Sequence, residues 1–198
     1  MADLAVLEAF LAAAHVDPAV FGLRPDYRVL LLAVDGVNAG SDDEASGARN
    51  SLGALLRRVP GGLPRVNGPT DIYNAISVLH QLPLGGEDLH RYVGAPRLVR
   101  ASGEESFDTV ADGIAVVEHP EPGEVVWCDD AGVTCRRWNW RQARRTQLRE
   151  DTTTALFILD ALSPMSGEAL HAAADDLAAH LRGLGPDVRA VCRLIAAT

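Results

Sequence analysis

Glu124-Val125-Val126-Trp127-Cys128-Asp129-Asp130-Ala131-Gly132-Val133-Thr134-Cys135-Arg136-Arg137-Trp138 is the stretch that decides the fold. Two β-rich runs flank the tetrapeptide Asp129–Gly132, which carries turn chemistry, so the segment reads as a hairpin. The second run leads into Cys135-Arg136-Arg137-Trp138-Asn139-Trp140-Arg141-Gln142-Ala143-Arg144-Arg145-Thr146, which holds five arginines, two tryptophans, an asparagine and a glutamine. No acidic residue occurs from Ala131 to Arg149. Arginine forks pair bidentately with carboxylate and phosphate, and tryptophan offers a flat face to a base or a guanidinium. The competing reading is a strand whose tryptophans fill the core and whose arginines are solvated. If the block continues as a regular strand, Arg137, Asn139 and Arg141 share one face, and Trp138 and Trp140 the other.

Upstream, the elements come as helices first. Asp3 caps a helix with Leu4, Leu7, Phe10, Leu11 and Ala14 on one stripe. The run from Tyr27 to Val34 is continuously apolar and has the length of a buried strand. Ser41-Asp42-Asp43-Glu44 opens a second helix that closes at Arg57-Arg58, acid first and base last, in agreement with the macrodipole. A third begins near Asn67-Gly68-Pro69-Thr70 with Thr70 as candidate cap. It places Ile72, Ile76 and Leu79 on one face, and Asp71 and Asn74 together on another. Gln81–Gly86 reads as a loop, and Gly85-Gly86-Glu87-Asp88 as a turn before a short helix.

Strand signals dominate from Arg97 onward, at Arg97–Ala101, Gly113–Val117, the hairpin, and Thr153–Leu162. Ser166 caps a last helix with Leu170, Ala174, Leu177, Leu181 and Leu184 on one side, and Val188–Ile195 fits strand or helix. This order predicts a single α+β domain over residues 1–198, with a mixed, mostly antiparallel sheet packed by helices.

The composition bounds the function. The chain has 198 residues, 47% of them hydrophobic and 23% charged, with a net charge of −9. An acidic chain is unsuited to coating duplex nucleic acid, so any contact with RNA is local to the arginine block. Every basic residue is arginine, which points to codon bias and lowers the weight of the arginine count. Cys128, Cys135 and Cys192 form no C-x-x-C and leave one thiol over in any pairing, as expected of a reducing cytoplasm. The N-terminus does not read as a signal peptide, and no apolar run reaches the ~20 residues of a membrane span. The six histidines lack metal-ligand spacing. There is no nucleophile-elbow serine, Walker A loop or dinucleotide fingerprint. Neither metal nor cofactor is expected.

The order Asn67-x-x-Thr70-Asp71-x-x-Asn74, Pro83, Gly85-Gly86, Asp88-Leu89, Val99-Arg100-Ala101, Gly123-Glu124-Val125-Val126 and Arg137-Trp138-Asn139-Trp140-Arg141 resembles the B3/B4 domain. That is the editing domain of the bacterial phenylalanyl-tRNA synthetase β subunit, and the free-standing proteins of about this length that carry it are closer still. Asp71, Asn74, Asp88, Arg100 and Ala101 match its motifs residue by residue. The resemblance covers about residues 60–162, leaving N- and C-terminal helical additions. The synthetase domain has a Gly-rich segment where this chain has the Arg/Trp block, so amino-acid specificity does not carry over. In the synthetase the domain hydrolyses tRNA mischarged with tyrosine. The resemblance thus implies hydrolysis, in trans, of an aminoacyl ester on the terminal adenosine of tRNA.

Such a reaction needs a positioned water and donors for the oxyanion, and neither a metal nor a serine nucleophile. The residues available for it are these. Arg137 or Arg141 can hold a phosphate or the oxyanion, and Trp138 or Trp140 can stack on adenine. Asp71 or Glu124 can bind the α-ammonium, and Asn67, Asn74 or Asn139 can orient the water. Asn139, Asp71 and Arg137 are the expected catalytic set. Asn67, Thr70, Asn74, Asp88, Glu124 and Arg141 are expected to bind substrate, with the tRNA acceptor end as partner. Two other readings stand beside this one: a non-catalytic module for an amino acid, nucleotide or tRNA end, and a hydrolase of another aminoacyl or peptidyl ester.

Overall fold

The computed structural model describes residues 3–37, 56, 62, 66–111, 113–137, 139 and 141–197. The helix expected at 41–58 falls almost wholly outside these residues, and Trp138 and Trp140 fall outside them too.

Strand β10 (Thr154–Ala161) is the axis of the fold, with all eight residues buried. It pairs antiparallel with β2 (Arg28–Asp35) on one side and with β3 (Leu84–Asp88) on the other. β11 (Arg189–Ala196) adds antiparallel to the far side of β2, giving the order β11-β2-β10-β3. The C-terminal segment that fitted strand or helix is therefore a strand. Side chains alternate across this sheet. Leu30, Leu32, Ala155, Phe157 and Leu159 pack under α3 (Gly68–His80) and α4 (Gly167–Arg182). Val29, Leu31, Leu156 and Ile158 face the opposite way, into a second core. Burial on both faces is why the two central strands read as unbroken apolar runs.

The second core is closed by Leu98, Trp127 and Cys135 of another sheet, together with α1 (Leu4–Ala13) and α2 (Pro18–Leu23). That sheet runs β1 (His15–Val16), β4 (Arg97–Arg100), β7 (Val125–Asp129), β8 (Gly132–Arg136), β9 (Arg141–Gln142). Only β1 and β4 are parallel; the rest is antiparallel. The predicted hairpin is β7–β8, with Asp129 paired to Gly132 across the turn. Strands β5 (Phe107–Ala111) and β6 (Ile114–Glu118) form a separate hairpin, of which sequence reading found only the second strand.

Three local expectations change. Gly85–Asp88 is not a turn but most of β3, paired with β10 through Gly85↔Ile158 and Gly86↔Phe157. Leu79 is exposed, so the buried face of α3 is carried by Thr70, Tyr73, Asn74, Ile76 and Ser77. The α3 cap is Asn67, whose Oδ1 accepts the Thr70 N–H at 2.9 Å, with Pro69 in the first turn where its missing N–H costs nothing. Thr70 is the residue capped, not the cap. Among the described residues no helix is long and apolar enough to cross a membrane.

Candidate functional site at the two glycines of β3

The Arg/Trp block and α3 approach β3 on opposite faces. A Cβ on Gly85 would lie 3.0 Å from Asn139 Oδ1 and 3.1 Å from Gln142 Nε2. On Gly86 it would lie 2.9 Å from Leu148 Cδ1 and Phe157 Cε1, and 3.0 Å from Tyr73 Cε1. Glycine is what lets the Arg/Trp block and α3 both approach this backbone. Gln142 Nε2 completes the seam by donating to the Gly86 carbonyl at 2.9 Å.

The block itself is not a regular strand. β8 ends at Arg136 and β9 begins at Arg141, and in the connection Arg137 has φ +53° and Asn139 φ +61°. Left-handed backbone at both positions breaks the period of two, so the expected shared face of Arg137, Asn139 and Arg141 does not exist. Arg137 is exposed, Arg141 half-buried and Asn139 buried. Asparagine tolerates this backbone better than most residues, and its amide is engaged inward. Asn139 Nδ2 donates to the Ile158 carbonyl at 3.3 Å and to Asp160 Oδ2, while its Oδ1 accepts from the Cys135 thiol at 3.3 Å.

Asp160 also accepts from the Tyr27 hydroxyl at 2.5 Å. Burial pushes the Asp160 carboxyl up to about 6, against the opposing pull of Tyr27 and Asn139. A second buried carboxyl, Glu87, accepts from the Tyr92 hydroxyl and is pushed up to about 7 by burial. Glu87 and Gly85 lie on the face of β3 turned toward the second sheet. Asp160 escaped sequence reading, and Glu87 entered it only as part of the Gly85–Asp88 turn. The only signal was an acid at the end of each strand's apolar or glycine run.

Four arginines of the block are paired with carboxylates of the protein. Arg136 is 4% exposed and gives Nε and Nη2 to Glu124 at 2.9 and 2.6 Å, and Nη1 to Glu118 at 3.1 Å. Arg141 grips Glu118 with both Nη atoms at 2.7 Å. Both guanidinium groups sit over the Phe107 ring, 5.4 and 5.2 Å from its centre. Arg141 lowers the Glu118 carboxyl and Arg136 that of Glu124. Arg144 pairs with Asp108, and Arg145 with Asp129. Glu124 is thus the counter-ion of Arg136, and Arg141 is held by Glu118. Asp88 is also engaged: Oδ1 accepts the His90 N–H at 3.0 Å and Oδ2 the Thr152 hydroxyl at 2.8 Å.

At the start of α3, Asp71 and Asn74 do not act as one face. Asp71 is half-buried and accepts the Val66 N–H at 2.8 Å, tying down the approach to the helix. Asn74 is 0% exposed, and neither its Oδ1 nor its Nδ2 has a hydrogen-bond partner among the described residues. A buried amide without partners is expensive and rare in native structures.

A family model for the B3/4 domain matches residues 43–195. The chain belongs to the B3/4 domain family. Among solved structures, it is similar to an N-terminal fragment of the phenylalanyl-tRNA synthetase β-subunit from Pyrococcus horikoshii. The identity is 12% and the TM-score 0.57, over 90% of this chain and 50% of that one. The chain therefore spans about half of that fragment, and the likeness is one of fold. No curated relative matches in sequence.

A pocket of this B3/4 domain lies elsewhere. It has a volume of about 600 Å³ and lies between the end of α3 and the start of α4, lined by His80, Gln81, Pro83, Met165 and Ser166 among others. None of the sequence-nominated residues lines it. Asp160 borders it, but its carboxyl points across β10 toward Tyr27 and Asn139. Asn139 and Gln142 instead lie against Gly85 of β3.

Proposed function

We propose that this B3/4 domain hydrolyses a mischarged aminoacyl ester on the terminal adenosine of tRNA, acting in trans in the cytoplasm, and that Asn74 orients the attacking water. Family membership supports the reaction class. The observation that carries the assignment is the Asn74 amide. Of the three asparagines suited to hold the water, Asn67 is the α3 cap and Asn139 supports Asp160. Of the three, Asn74 alone keeps both a donor and an acceptor without a partner among the described residues. Asp71, one turn earlier on α3, is the carboxylate placed for the α-ammonium, and exposed Arg137 for a phosphate of the acceptor end. In the reaction the water oxygen bonds to the ester carbonyl carbon and the bond to the ribose oxygen breaks. A water proton ends on that ribose oxygen, leaving the free amino acid and deacylated tRNA. Asn74 supplies orientation, which accounts for a large part of such a barrier.

Single-turnover deacylation of a panel of mischarged tRNAs tests this. The wild-type chain is expected to release at least one amino acid, and Asn74→Ala to do so at least ~10-fold more slowly. A wild-type chain inactive on the whole panel refutes the reading. One observation favours the non-catalytic module instead: Asp88, Glu124 and Arg141 are each satisfied by protein partners. Under that alternative a non-hydrolysable aminoacyl-amide tRNA binds and no ester turns over.

A further inference from the structure

Besides Asn74 and one oxygen of Glu87, a further polar side chain beside β3 has no hydrogen-bond partner among the described residues. Thr146 is 0% exposed, and its Oγ1 makes no hydrogen bond among the described residues. It belongs to the segment that leaves the Arg/Trp block along the free edge of β3. The Thr146 carbonyl accepts the Asp88 N–H at 2.7 Å, and Gln147 bridges antiparallel to Glu87. Side chains on paired strands alternate together, so Gln147 shares the Glu87 face and Thr146 the opposite one. Leu148 Cδ1, 2.9 Å from the Cβ position of Gly86, checks the adjacent assignment: the residue two beyond Thr146 lies on the Gly86 face. The Tyr73 ring packs on that same face, and Asn74 follows it on α3. Thr146 beside β3 and Asn74 on the helix that packs on β3 are thus both wholly buried, with hydrogen-bonding atoms unmatched among the described residues.

The chemistry of that face restricts the guest. Asp88, the carboxylate that β3 places on that face, is satisfied by the His90 N–H and the Thr152 hydroxyl. An amide and a hydroxyl remain, which together donate and accept but carry no charge. They suit a small neutral group that also donates and accepts, which describes water and neither a carboxylate nor an ammonium. We infer that the Thr146 hydroxyl and the Asn74 amide jointly hold the hydrolytic water on the α3 face of β3. The inference rests on the deacylase reading and adds a residue that no sequence motif marked.

The test is single-turnover deacylation by Thr146→Val, which keeps the shape and removes the hydroxyl, with Thr146→Ser, which restores it. Thr146→Val is expected to lower kcat at least ~10-fold with KM within about twofold, since orientation acts in the transition state. Thr146→Ser is expected to stay within about threefold of wild type, a rescue that a packing role for the methyl group does not give. The double variant Asn74→Ala/Thr146→Val is expected to be no slower than the slower single variant, because residues that hold one water act as a unit. Wild-type kcat in Thr146→Val, or multiplicative losses in the double variant, overturns the inference while leaving the deacylase reading intact. An inactive wild-type chain instead removes that reading and the inference with it. Should Thr146→Val not fold, Thr146→Ala and Thr146→Ser decide by the same comparison.

Discussion

Replacing Asn139 separates a structural residue from a catalytic one. From sequence it stood among exposed polar groups whose truncation leaves stability within about half a kcal/mol. The structure predicts otherwise. Asn139→Ala removes the donor to the buried Asp160 carboxyl, and such a hydrogen bond to an ionisable buried group contributes about 1.5–3 kcal/mol. It also removes the donor to the Ile158 carbonyl and the acceptor of the Cys135 thiol. Alanine at φ +61° adds about 1 kcal/mol of backbone cost that asparagine partly avoids. The sum is a loss of about 3 kcal/mol, or a shift of roughly 1.5 M in the urea midpoint at a slope of ~2 kcal/mol/M. Asn139→Gly loses the same hydrogen bonds but accepts the left-handed backbone freely, so it should be milder than Asn139→Ala by about 1 kcal/mol. Equilibrium urea unfolding of the two variants reads both numbers. A loss below about 1 kcal/mol in Asn139→Ala, or glycine harsher than alanine, would refute the argument that this turn is anchored through Asp160.

Three further expectations follow from the site. Asn74→Leu removes a buried amide that has no protein partner, so urea unfolding should show unchanged or increased stability while deacylation is lost; a drop of more than about 2 kcal/mol would mean the amide is bonded within the protein. Glu87 and Asp160 are raised to about 7 and about 6 in the folded chain, from unfolded values near ~4. Their stabilising contribution is therefore full below pH ~4 and is lost as pH rises through 6 to 7. Glu87→Gln should accordingly gain stability relative to wild type at pH 8 and gain little at pH 4, and an equal effect at both would contradict the burial of that carboxyl. Glu118→Gln releases Arg141 from its bidentate partner, so filter binding should show tighter tRNA association and a salt dependence steeper by about 0.9 in log–log slope; an unaltered slope would mean Arg141 does not reach the RNA.

The fold was legible where a local signal and the tertiary environment agree. Tyr27–Val34 and Thr153–Leu162 are apolar on both faces because both faces are buried, and length alone identifies them as strands. The β7–β8 hairpin was legible because Asp129–Gly132 carries its own turn chemistry. β3 was not, because Leu84-Gly85-Gly86-Glu87-Asp88 has no strand propensity of its own. It is a strand because β10 pairs with it, and glycine suits it because the Arg/Trp turn and α3 press on its two faces, leaving a Cβ tight space at Gly85 and too little at Gly86. Glycines that read locally as a turn are here the signature of close packing.

The same distinction explains why the site was only half legible. Residue type showed that the Arg/Trp block is rich in groups that recognise anions. It could not show that Glu118, Glu124, Asp108 and Asp129, which lie up to 36 positions away in sequence, supply those anions from within the chain. An arginine advertises its charge in sequence and hides its partner. A buried asparagine or threonine does the reverse: Asn74 and Thr146 carry no charge, and their lack of a partner among the described residues emerges only from their surroundings. Desolvation makes an unmatched amide costly whatever its sequence context, so it persists most readily where function uses it. By that criterion Asn74, Thr146 and the Glu87 carboxyl are the side chains to test, and four of the conspicuous arginines are held by carboxylates of the chain itself.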